Sequence, residues 1–424
     1  MTNLSRTFSL AFALGVLAGC GGDDPPASTA GTITVDSLNV ALAGAFIPYE
    51  SERRAAVLSA VANNPADIVC LQEVWREEDK RMIRTAAQAR FPHAVSAQHN
   101  QDTMVNLDLD PMCTVPPEPT TAPCAGAAVR MTFESGLRCL AQNCSTMPGN
   151  EMGQTTSTAC ARMRCFGDVS ALLFGDAEGK RCYGCVAPNL PTETFASIRS
   201  LCTTNPRGDL AYGGQSGVMI LSRHPLTNTE VKVIPGTWNR RAILRATATI
   251  PGRGAVQVYC NHLTPVFDDV AFPYTGRHGC GMTDRAGWAT EQAAQARALV
   301  SYVTQSAGNG RAIILGDFNT GPDVAGAQPI TGEAPDTYVY LRSQLTPALP
   351  ANHQAFCTYC RENPITGATD SVWIDHIFLR GFPAGATRSF ARTYADTPVT
   401  VTGTPNRVPI SDHYGVRAVV SLSP

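Results

Sequence analysis

Eight polar side chains stand at or just beyond the ends of apolar, strand-like runs in this sequence. The clearest run is I-I-L-G-D-F-N-T at 313–320, where Asp317 and Asn319 follow two Ile and a Leu. Since residues i and i+2 of a strand share a face, these two side chains point to one spot. A capped turn is the alternative, because Asp, Asn and Gly all favour turns. The full set is Asn39, Glu73, His262, Asp317, Asn319, Asp375, Asp412 and His413.

This set contains the groups needed to hydrolyse a phosphate ester. Glu73, Asp412 and Asn39 offer hard oxygen ligands that suit Mg²⁺, with Mn²⁺ or Ca²⁺ as alternatives. The two His supply a proton acceptor and a phosphate hydrogen-bond donor near neutral pH. An Asp such as Asp375 can hold one of these His in the correct tautomer.

The elements that must position these residues are strands with a few helices between them. Strand patterns begin at 32 and cover 67–75, 216–226, 241–250, 255–263, 313–318, 372–379 and 411–422. Helical patterns cover 50–63, 76–90 and 284–304. Ligands of open α/β sheets bind at the carboxyl ends of strands, which is where the polar set falls. This order predicts two packed sheets with helices outside.

Composition and charge indicate a globular protein without a general affinity for nucleic acid. The chain has 424 residues, 44% of them hydrophobic and 16% charged. The formal charge is −2, and removal of Arg6 with a leader peptide makes it −3. The absence of a basic bias counts only weakly against a nuclease, because a local basic patch is enough for an enzyme.

The first residues predict export. Residues 1–19 carry Arg6, an apolar stretch at 8–16 and then small residues, as a secretory signal does. The apolar stretch is too short for a transmembrane helix. The sequence L-A-G-C at 17–20 resembles a bacterial lipobox, which implies a lipid on Cys20 and a flexible tether at 20–31. We therefore expect an exported lipoprotein in the cell envelope or at its surface, with secretion without lipid as the alternative.

Cysteine usage predicts a disulfide framework. Of the 15 Cys, nine lie between Cys113 and Cys202, in a segment at 99–210 that is rich in Pro, Thr and Gly. In an exported protein this predicts an insertion stapled by disulfides, either a small subdomain or a lid.

Six cysteines allow other interpretations. The pairs Cys182/Cys185 and Cys357/Cys360 are both C-x-x-C, which leaves a zinc site as the alternative to disulfides. We expect Cys70 and Cys260, which lie inside strand-like runs, to be buried free thiols.

The motifs taken together resemble the endonuclease/exonuclease/phosphatase superfamily. L-Q-E-V-W, S-G-V-M-I-L-S-R-H-P-L, C-N-H-L, G-D-F-N, W-I-D-H-I and S-D-H-Y occur in the family's order over 32–98 and 211–422. The resemblance implies an α/β four-layer sandwich of two packed, mostly antiparallel sheets flanked by helices. The catalytic domain would span 32–424, interrupted by the disulfide-rich insertion at 99–210.

The resemblance also implies a metal site. Glu73, in L-Q-E-V, matches the principal ligand of Mg²⁺. Asn39 matches the amide near the metal and the phosphate, and Asp412, in S-D-H, matches a second carboxylate on the metal side.

The remaining residues match catalytic roles. His413 matches the general base that activates water, and Asp375 matches its orienting partner. Asp317 and Asn319 match the pair that positions the nucleophile and contacts the phosphate. His262 matches the second His, which donates to the phosphate. The reaction implied is in-line attack of water on phosphorus, in a protein expected to be monomeric.

Within the superfamily, neutral sphingomyelinases are the most similar branch. L-Q-E-V-W, S-R-H-P-L, the step Arg241-Ala242 and S-D-H-Y-G-V carry this likeness, which implies hydrolysis of a phospholipid head group. The insertion at 99–210 departs from that branch. An exported deoxyribonuclease-like endonuclease is the alternative, followed by a sugar- or inositol-phosphate phosphatase and a non-catalytic binding lipoprotein.

Several neighbours of the motifs have structural interpretations. Arg240 and Arg241 begin a strand and either contact phosphate or are solvated. Trp75, Trp373 and Phe318 are expected in the core rather than at a substrate platform.

Overall fold

The computed structural model describes residues 31–97, 102–104, 113–144, 163–190, 192–326, 328–401 and 407–423. The predicted signal peptide at 1–19, the lipidated Cys20 and the tether up to residue 30 lie outside the described residues. Within the described part, no helix combines the length and the apolar composition that crossing a membrane requires.

The described residues form fifteen strands and eight α-helices. The strands are β1 (Thr32–Leu42), β2 (Ile68–Val74), β3 (His93–Ser96), β4 (Asp102–Met104), β5 (Met219–Ser222), β6 (Leu226–Ile234), β7 (Arg241–Ile250), β8 (Gly254–His262), β9 (Ala312–Asp317), β10 (Thr346–Pro347), β11 (Asp375–Arg380), β12 (Thr387–Thr393), β13 (Val399–Thr400), β14 (Arg407–Val408) and β15 (Gly415–Ser421). The helices are α1 (Glu50–Ala62), α2 (Glu77–Ala87), α3 (Ala127–Asn143), α4 (Phe166–Leu173), α5 (Ala177–Asn189), α6 (Phe195–Thr204), α7 (Asp284–Ala307) and α8 (Pro335–Gln344).

Two mixed sheets carry the fold. The first sheet has the order β12-β15-β1-β2-β5-β3, and the second has the order β10-β11-β9-β8-β7-β6-β4. Three neighbouring pairs are parallel, namely β1/β2, β8/β9 and β4/β6, and the other pairs within these sheets are antiparallel. The prediction of two mostly antiparallel sheets is therefore confirmed. The short strand β4 lies within the predicted insertion, and it pairs with β6 at the edge of the second sheet.

The inner faces of the two sheets share one apolar core. Ile33 and Ile220 of the first sheet pack with Val258 and Leu315 of the second, and all four are fully buried. Alternation along each strand sends these side chains inward, because successive residues point to opposite faces.

A disulfide between Cys70 of β2 and Cys260 of β8 crosses this core. The prediction that these two cysteines are free thiols is therefore wrong. Both are fully buried, as predicted, but their Cα atoms lie 5.4 Å apart, which is within disulfide range. A bond across 190 positions cannot be seen in a strand pattern, because only the packing of the two sheets brings the strands together.

Helices cover the outer faces and complete four layers. Val57 and Val61 of α1 and Ile83 of α2 pack on the first sheet. Leu299 and Val303 of α7, with α8 beside them, pack on the second sheet.

The segment at 99–210, predicted to be an insertion, contains helices α3–α6 and is joined to the rest of the chain. Helices α3–α6 share a hydrophobic core with Trp238, Val266, Tyr274 and Trp288 of the domain. Disulfides join Cys124–Cys182, Cys139–Cys165, Cys185–Cys202 and Cys113–Cys280, of which the last ties the insertion to the loop before α7. The disulfide framework is confirmed. The zinc alternative fails, because the cysteines of both C-x-x-C pairs are all disulfide-bonded.

Candidate active site

Strand register brings the predicted residues to one edge of the two sheets. Asp317 at the end of β9 lies beside His262 of the parallel strand β8 and beside Asp375 of the antiparallel strand β11. In the first sheet, Asn39 of β1 pairs with Gln72 of β2, the residue before Glu73. The segment with Asp412 and His413 leads into β15, next to β1.

Asn39 joins the two sheets at this edge. Its Nδ2 donates to Glu73 Oε1 at 3.0 Å and to Asp317 Oδ2 at 3.0 Å, while its Oδ1 accepts from the N–H of Ala41. Asn39 is fully buried, so both donor hydrogens are committed to carboxylates. One amide therefore fixes the distance between a carboxylate of each sheet.

His413 and Asp375 form a hydrogen-bonded pair across the two sheets. His413 Nδ1 lies 2.9 Å from Asp375 Oδ2, and its Nε2 lies 3.7 Å from Asp317 Oδ2. Burial lowers the pKa of His413, but Asp375 and Asp317 outweigh it and raise that pKa well above 6.5. The two carboxylates thus stabilise the protonated form of His413.

Asp317 lies between both histidines. His262 Nε2 is 3.4 Å from Asp317 Oδ2. Burial, and then the nearby Asp375, raise the pKa of Asp317 to about 7, against the opposing effects of His413 and Asn39. Burial, Arg241 and His413 lower the pKa of His262 well below 6.5, so this imidazole is neutral at neutral pH.

Asn319 is placed by main-chain contacts beside this group. Its N–H donates to Asp317 Oδ1 at 2.9 Å, and its Nδ2 donates to the carbonyl of Leu263 at 2.9 Å. Its φ of 48° lies in the left-handed region, which Asn tolerates better than most residues. Asp317 and Asn319 therefore form a turn and also lie within the candidate site, so the two interpretations of this stretch describe one structure.

Glu73 sits in a strained backbone conformation at the end of β2. Its φ is 58°, and backbone strain of this kind costs on the order of 1–3 kcal/mol and clusters at functional sites. Gly217 allows the close approach, because a Cβ there would lie 2.9 Å from the Trp75 ring and 3.2 Å from Glu73 Cα. Burial, and then Asp412, raise the pKa of Glu73, while Asn39 lowers it.

The carboxylates fit a hard divalent cation. Glu73 and Asp412 repel each other, and a cation between them would remove that repulsion. Asn39 Oδ1 keeps one lone pair beyond its bond from Ala41. Asp317, Asp375 and His413 also place ligand atoms within 4.8 Å of one another, but their hydrogen bonds to each other and to Asn39 already use those atoms.

Arg241 is a site residue that the sequence left undecided. It is 4% exposed, so the interpretation as a solvated strand start is wrong. Glu73 and Asp317 both favour its charged form against the effect of burial, which lowers its pKa. Its Nε and Nη1 have no hydrogen-bond partner among the described residues, so two buried donors are left for an anion.

An aromatic wall supports Arg241 and His262. The Trp75 ring stacks on Tyr212 at 4.9 Å, lies 5.9 Å from the His262 ring and lies beneath the Arg241 guanidinium. Trp75 is 2% exposed, which confirms its place in the core, and Trp373 and Phe318 are buried as well. Tyr212 lies in the segment that follows the predicted insertion, and no sequence pattern indicated this contact.

The sequence profile of the "Endonuclease/Exonuclease/phosphatase family" matches residues 37–413. No curated protein sequence matches the chain. Among solved structures, SmcL is 12% identical with a TM-score of 0.51, and the alignment covers 92% of this chain and 99% of SmcL. At this identity the likeness supports a shared fold and nothing more.

Two further structures align over most of the chain. Sphingomyelinase C from Streptomyces griseocarneus is 14% identical, with a TM-score of 0.48 and coverage of 92% of this chain and 99% of that one. A beta toxin mutant from Staphylococcus aureus with bound magnesium ions is 12% identical, with a TM-score of 0.49 and coverage of 92% and 99%.

Proposed function

The chain belongs to the endonuclease/exonuclease/phosphatase family of phosphoester hydrolases, and on this premise we propose that it is a divalent-metal-dependent phosphodiesterase with His413 as general base. The observation that carries the proposal is the His413–Asp375 hydrogen bond of 2.9 Å beside two carboxylates that repel each other. Activation of water requires a general base that a hydrogen-bonded carboxylate holds in the correct tautomer and orientation.

His413 takes the proton of the attacking water. Asp375 accepts the Nδ1–H of His413, so Nε2 is the nitrogen that faces the reacting groups. Asp317, 3.7 Å from this Nε2, holds the water in line and stabilises the imidazolium that forms. Asp375 and Asp317 raise the pKa of His413, so they stabilise the imidazolium that forms when the neutral ring takes the proton of water.

Neutral and cationic donors receive the phosphate. His262 is neutral, and its Nδ1 has no hydrogen-bond partner among the described residues, so the tautomer that carries its proton on Nδ1 can donate to a phosphate oxygen. Two buried donors of Arg241, Nε and Nη1, have no partner among the described residues and are available to phosphate oxygens. Glu73 and Asp412, with Asn39, would hold Mg²⁺, which when bound polarises the phosphoryl oxygen.

We propose a phospholipid head group as the substrate. The S-R-H-P-L and S-D-H-Y-G-V motifs favour the sphingomyelinase branch, and the predicted lipid anchor on Cys20 suits a membrane substrate. Exposed apolar residues also support this choice. Of the seven large apolar side chains exposed in the described residues, six lie on the insertion or on the loop after His262, namely Met131, Met163, Phe166, Phe174, Val270 and Met282. That loop and the insertion are joined by Cys113–Cys280.

The test uses the chain from residue 21 onward with Mg²⁺ and three substrates in parallel. These are sphingomyelin vesicles, plasmid DNA and the generic diester bis(p-nitrophenyl) phosphate. We expect phosphocholine release that falls about 10²- to 10⁴-fold in His413→Ala, since one general base contributes this much. His224→Gln replaces a half-buried histidine outside the site and should leave the rate unchanged. Glu73→Gln should raise the Mg²⁺ concentration needed for half the maximal rate.

The outcomes test three parts of the proposal separately, namely the substrate, the reaction and the general base. DNA nicking that is lost in His413→Ala would replace the lipid substrate by the nuclease alternative. Hydrolysis of the generic diester alone would keep the phosphodiesterase and remove both natural substrates. An enzyme that turns over all three equally well with His413→Ala would refute the proposed base.

A further inference from the structure

The segment 357–363, C-T-Y-C-R-E-N, lies against the residues of the proposed base and has a covalent bond of its own. Cys357 and Cys360 form a disulfide that closes a four-residue ring. We call residues 357–363 the support segment. None of its side chains belongs to the predicted site set.

Thr358, inside the ring, fixes the main chain on both sides of the Asp375–His413 pair. Its Oγ1 accepts the N–H groups of Ile374 and Asp375, each at 3.1 Å. Its carbonyl accepts the N–H of Tyr414 at 2.8 Å. Thr358 is fully buried, so no water replaces these bonds if they are lost.

Two other residues of the support segment hold the chain that carries the base. Tyr359 pairs with His413 in an isolated bridge, and the two rings lie 5.1 Å apart. Asn363 Nδ2 donates to the carbonyls of Ser411 and Asp412 at 2.9 and 3.0 Å. The support segment thus touches both the strand of Asp375 and the chain of His413, which come from different sheets.

The ring disulfide closes the smallest loop among the disulfides of the described residues, so loop closure stabilises its oxidised form least. Its cysteines are three positions apart, whereas the others are 17 to 190 apart, and a small loop constrains the unfolded chain least. Arg392 Nη1 lies 3.6 Å from Cys357 Sγ and 3.4 Å from Cys360 Sγ. A guanidinium beside both sulfurs stabilises the thiolate that leaves when the bond is attacked.

We propose that the support segment is the positioning element of the His413–Asp375 pair and that the Cys357–Cys360 disulfide is a redox site that controls turnover through it. A dithiol reductant attacks one sulfur, the S–S bond breaks, and the reductant leaves as a disulfide. Cys357 and Cys360 together gain two electrons and two protons. The opened ring releases Thr358 from Asp375, and the base loses its alignment. This inference rests on the proposed function.

The first experiment titrates the full chain with a dithiol, alkylates the freed thiols and identifies them by mass spectrometry while the diester hydrolysis rate is measured. We expect Cys357 and Cys360 to be labelled first and kcat to fall with their labelling. The expected loss is about tenfold to 10²-fold, the scale of a misplacement of about 1 Å at a reacting group. Cys357→Ser/Cys360→Ser should show the low kcat without reductant, with KM within twofold. The control Cys139→Ser/Cys165→Ser removes a disulfide of the insertion and should keep kcat.

A second pair of variants separates positioning from folding. Thr358→Val removes the hydroxyl acceptor at constant shape and should lower kcat with little change in KM, whereas Thr358→Ser should restore it. Hydrogen exchange reports the same event without activity, because the amides of Ile374, Asp375 and Tyr414 donate to Thr358 and should exchange faster after ring opening.

These readouts distinguish the two proposals. Faster exchange in a chain that hydrolyses no diester at all would support the positioning element and refute the proposed function. Full kcat with Cys357 and Cys360 alkylated, or with both replaced by Ser, would overturn the inference. Reduction of the other disulfides before this ring would overturn its redox role.

Discussion

Removal of the Cys70–Cys260 disulfide tests whether the two sheets must be tied together for stability and for the site. Cys70 lies three residues before Glu73, and Cys260 lies two residues before His262, so the bond is directly below the two halves of the site. The variant is Cys70→Ala/Cys260→Ala. Both side chains are fully buried and small, so the change removes the cross-link with little loss of packing.

The expected loss of stability follows from the covalent paths in the unfolded chain. The shortest other route from Cys70 to Cys260 runs through the Cys113–Cys280 bond, so the disulfide closes a loop of about 60 residues. For that length the loop-closure entropy amounts to about 4 kcal/mol at 25 °C. Domains are commonly stable by roughly 5–15 kcal/mol, so the expected loss is a large part of the total.

Urea unfolding under oxidising conditions measures this loss by linear extrapolation. We expect the variant to lose about 4 kcal/mol and to show a lower kcat at temperatures where it is still folded. Cys139→Ala/Cys165→Ala, which cuts a loop inside the insertion, should lose stability without loss of kcat. Labelling of Cys70 and Cys260 in unreduced, denatured protein would refute the reasoning, and so would an unchanged free energy of unfolding.

Two further predictions concern Arg241 and His376. Arg241→Gln should lower kcat/KM by about 10- to 100-fold, because a hydrogen bond to a charged group contributes about 1.5–3 kcal/mol. Arg241→Lys should recover only part of this loss. Steady-state kinetics on the diester measures both variants, and a change within twofold would contradict the phosphate contact. His376 is buried, and burial lowers its pKa to about 4, so the folded state binds fewer protons than the unfolded one and stability is lost as pH falls from 6.5 toward 4. The free energy of unfolding falls by about 3 kcal/mol by pH 4. His376→Gln should flatten this part of the plot of unfolding free energy against pH, as measured by urea unfolding. An unchanged slope would contradict the prediction.

The polar residues at the strand ends could be predicted from the sequence, because the alternation of side chains along a strand is a local property. Alternation put Asp317 and Asn319 together, and the antiparallel register of β9 and β11 then places Asp375 opposite Asp317. The family motifs supplied the order in which the strands must come. The two-sheet architecture and the placement of the polar set at one edge were therefore predictable.

Contacts between sequence-distant segments were not predictable, because they depend on how the layers pack. Burial of Arg241 requires the wall of Trp75 and Tyr212, which only the end of the insertion completes. The left-handed backbone of Glu73 breaks the alternation of β2 at its last polar residue. Helix α8 is not among the predicted helices, because Pro335 at its start and its mixed surface give no clear apolar period.

The helices of the insertion escaped prediction for a related reason. Their apolar residues pack around disulfides, and Cys182 and Cys185 of α5 bond to Cys124 and Cys202 rather than to each other. Cysteine spacing alone allows many pairings, so it predicts that disulfides form but not which cysteines are joined.

The proposed catalytic pair, His413 and Asp375, lies across the junction of the two sheets, and two disulfides lie close to it. His413 leads into the first sheet and Asp375 begins a strand of the second, so their 2.9 Å contact exists only while the sheets keep their relative position. Asn39 makes a second contact across the same junction, to Asp317. Catalysis tolerates errors of only about 0.5 Å in the positions of the reacting groups, so a shift of one sheet against the other would misalign this pair. A disulfide below the site and a disulfide ring beside it restrict that motion at two points, and each can be removed separately. If the two removals lower kcat in the same way while the first lowers stability by more than the second, alignment of the sheets is what the site requires of the fold.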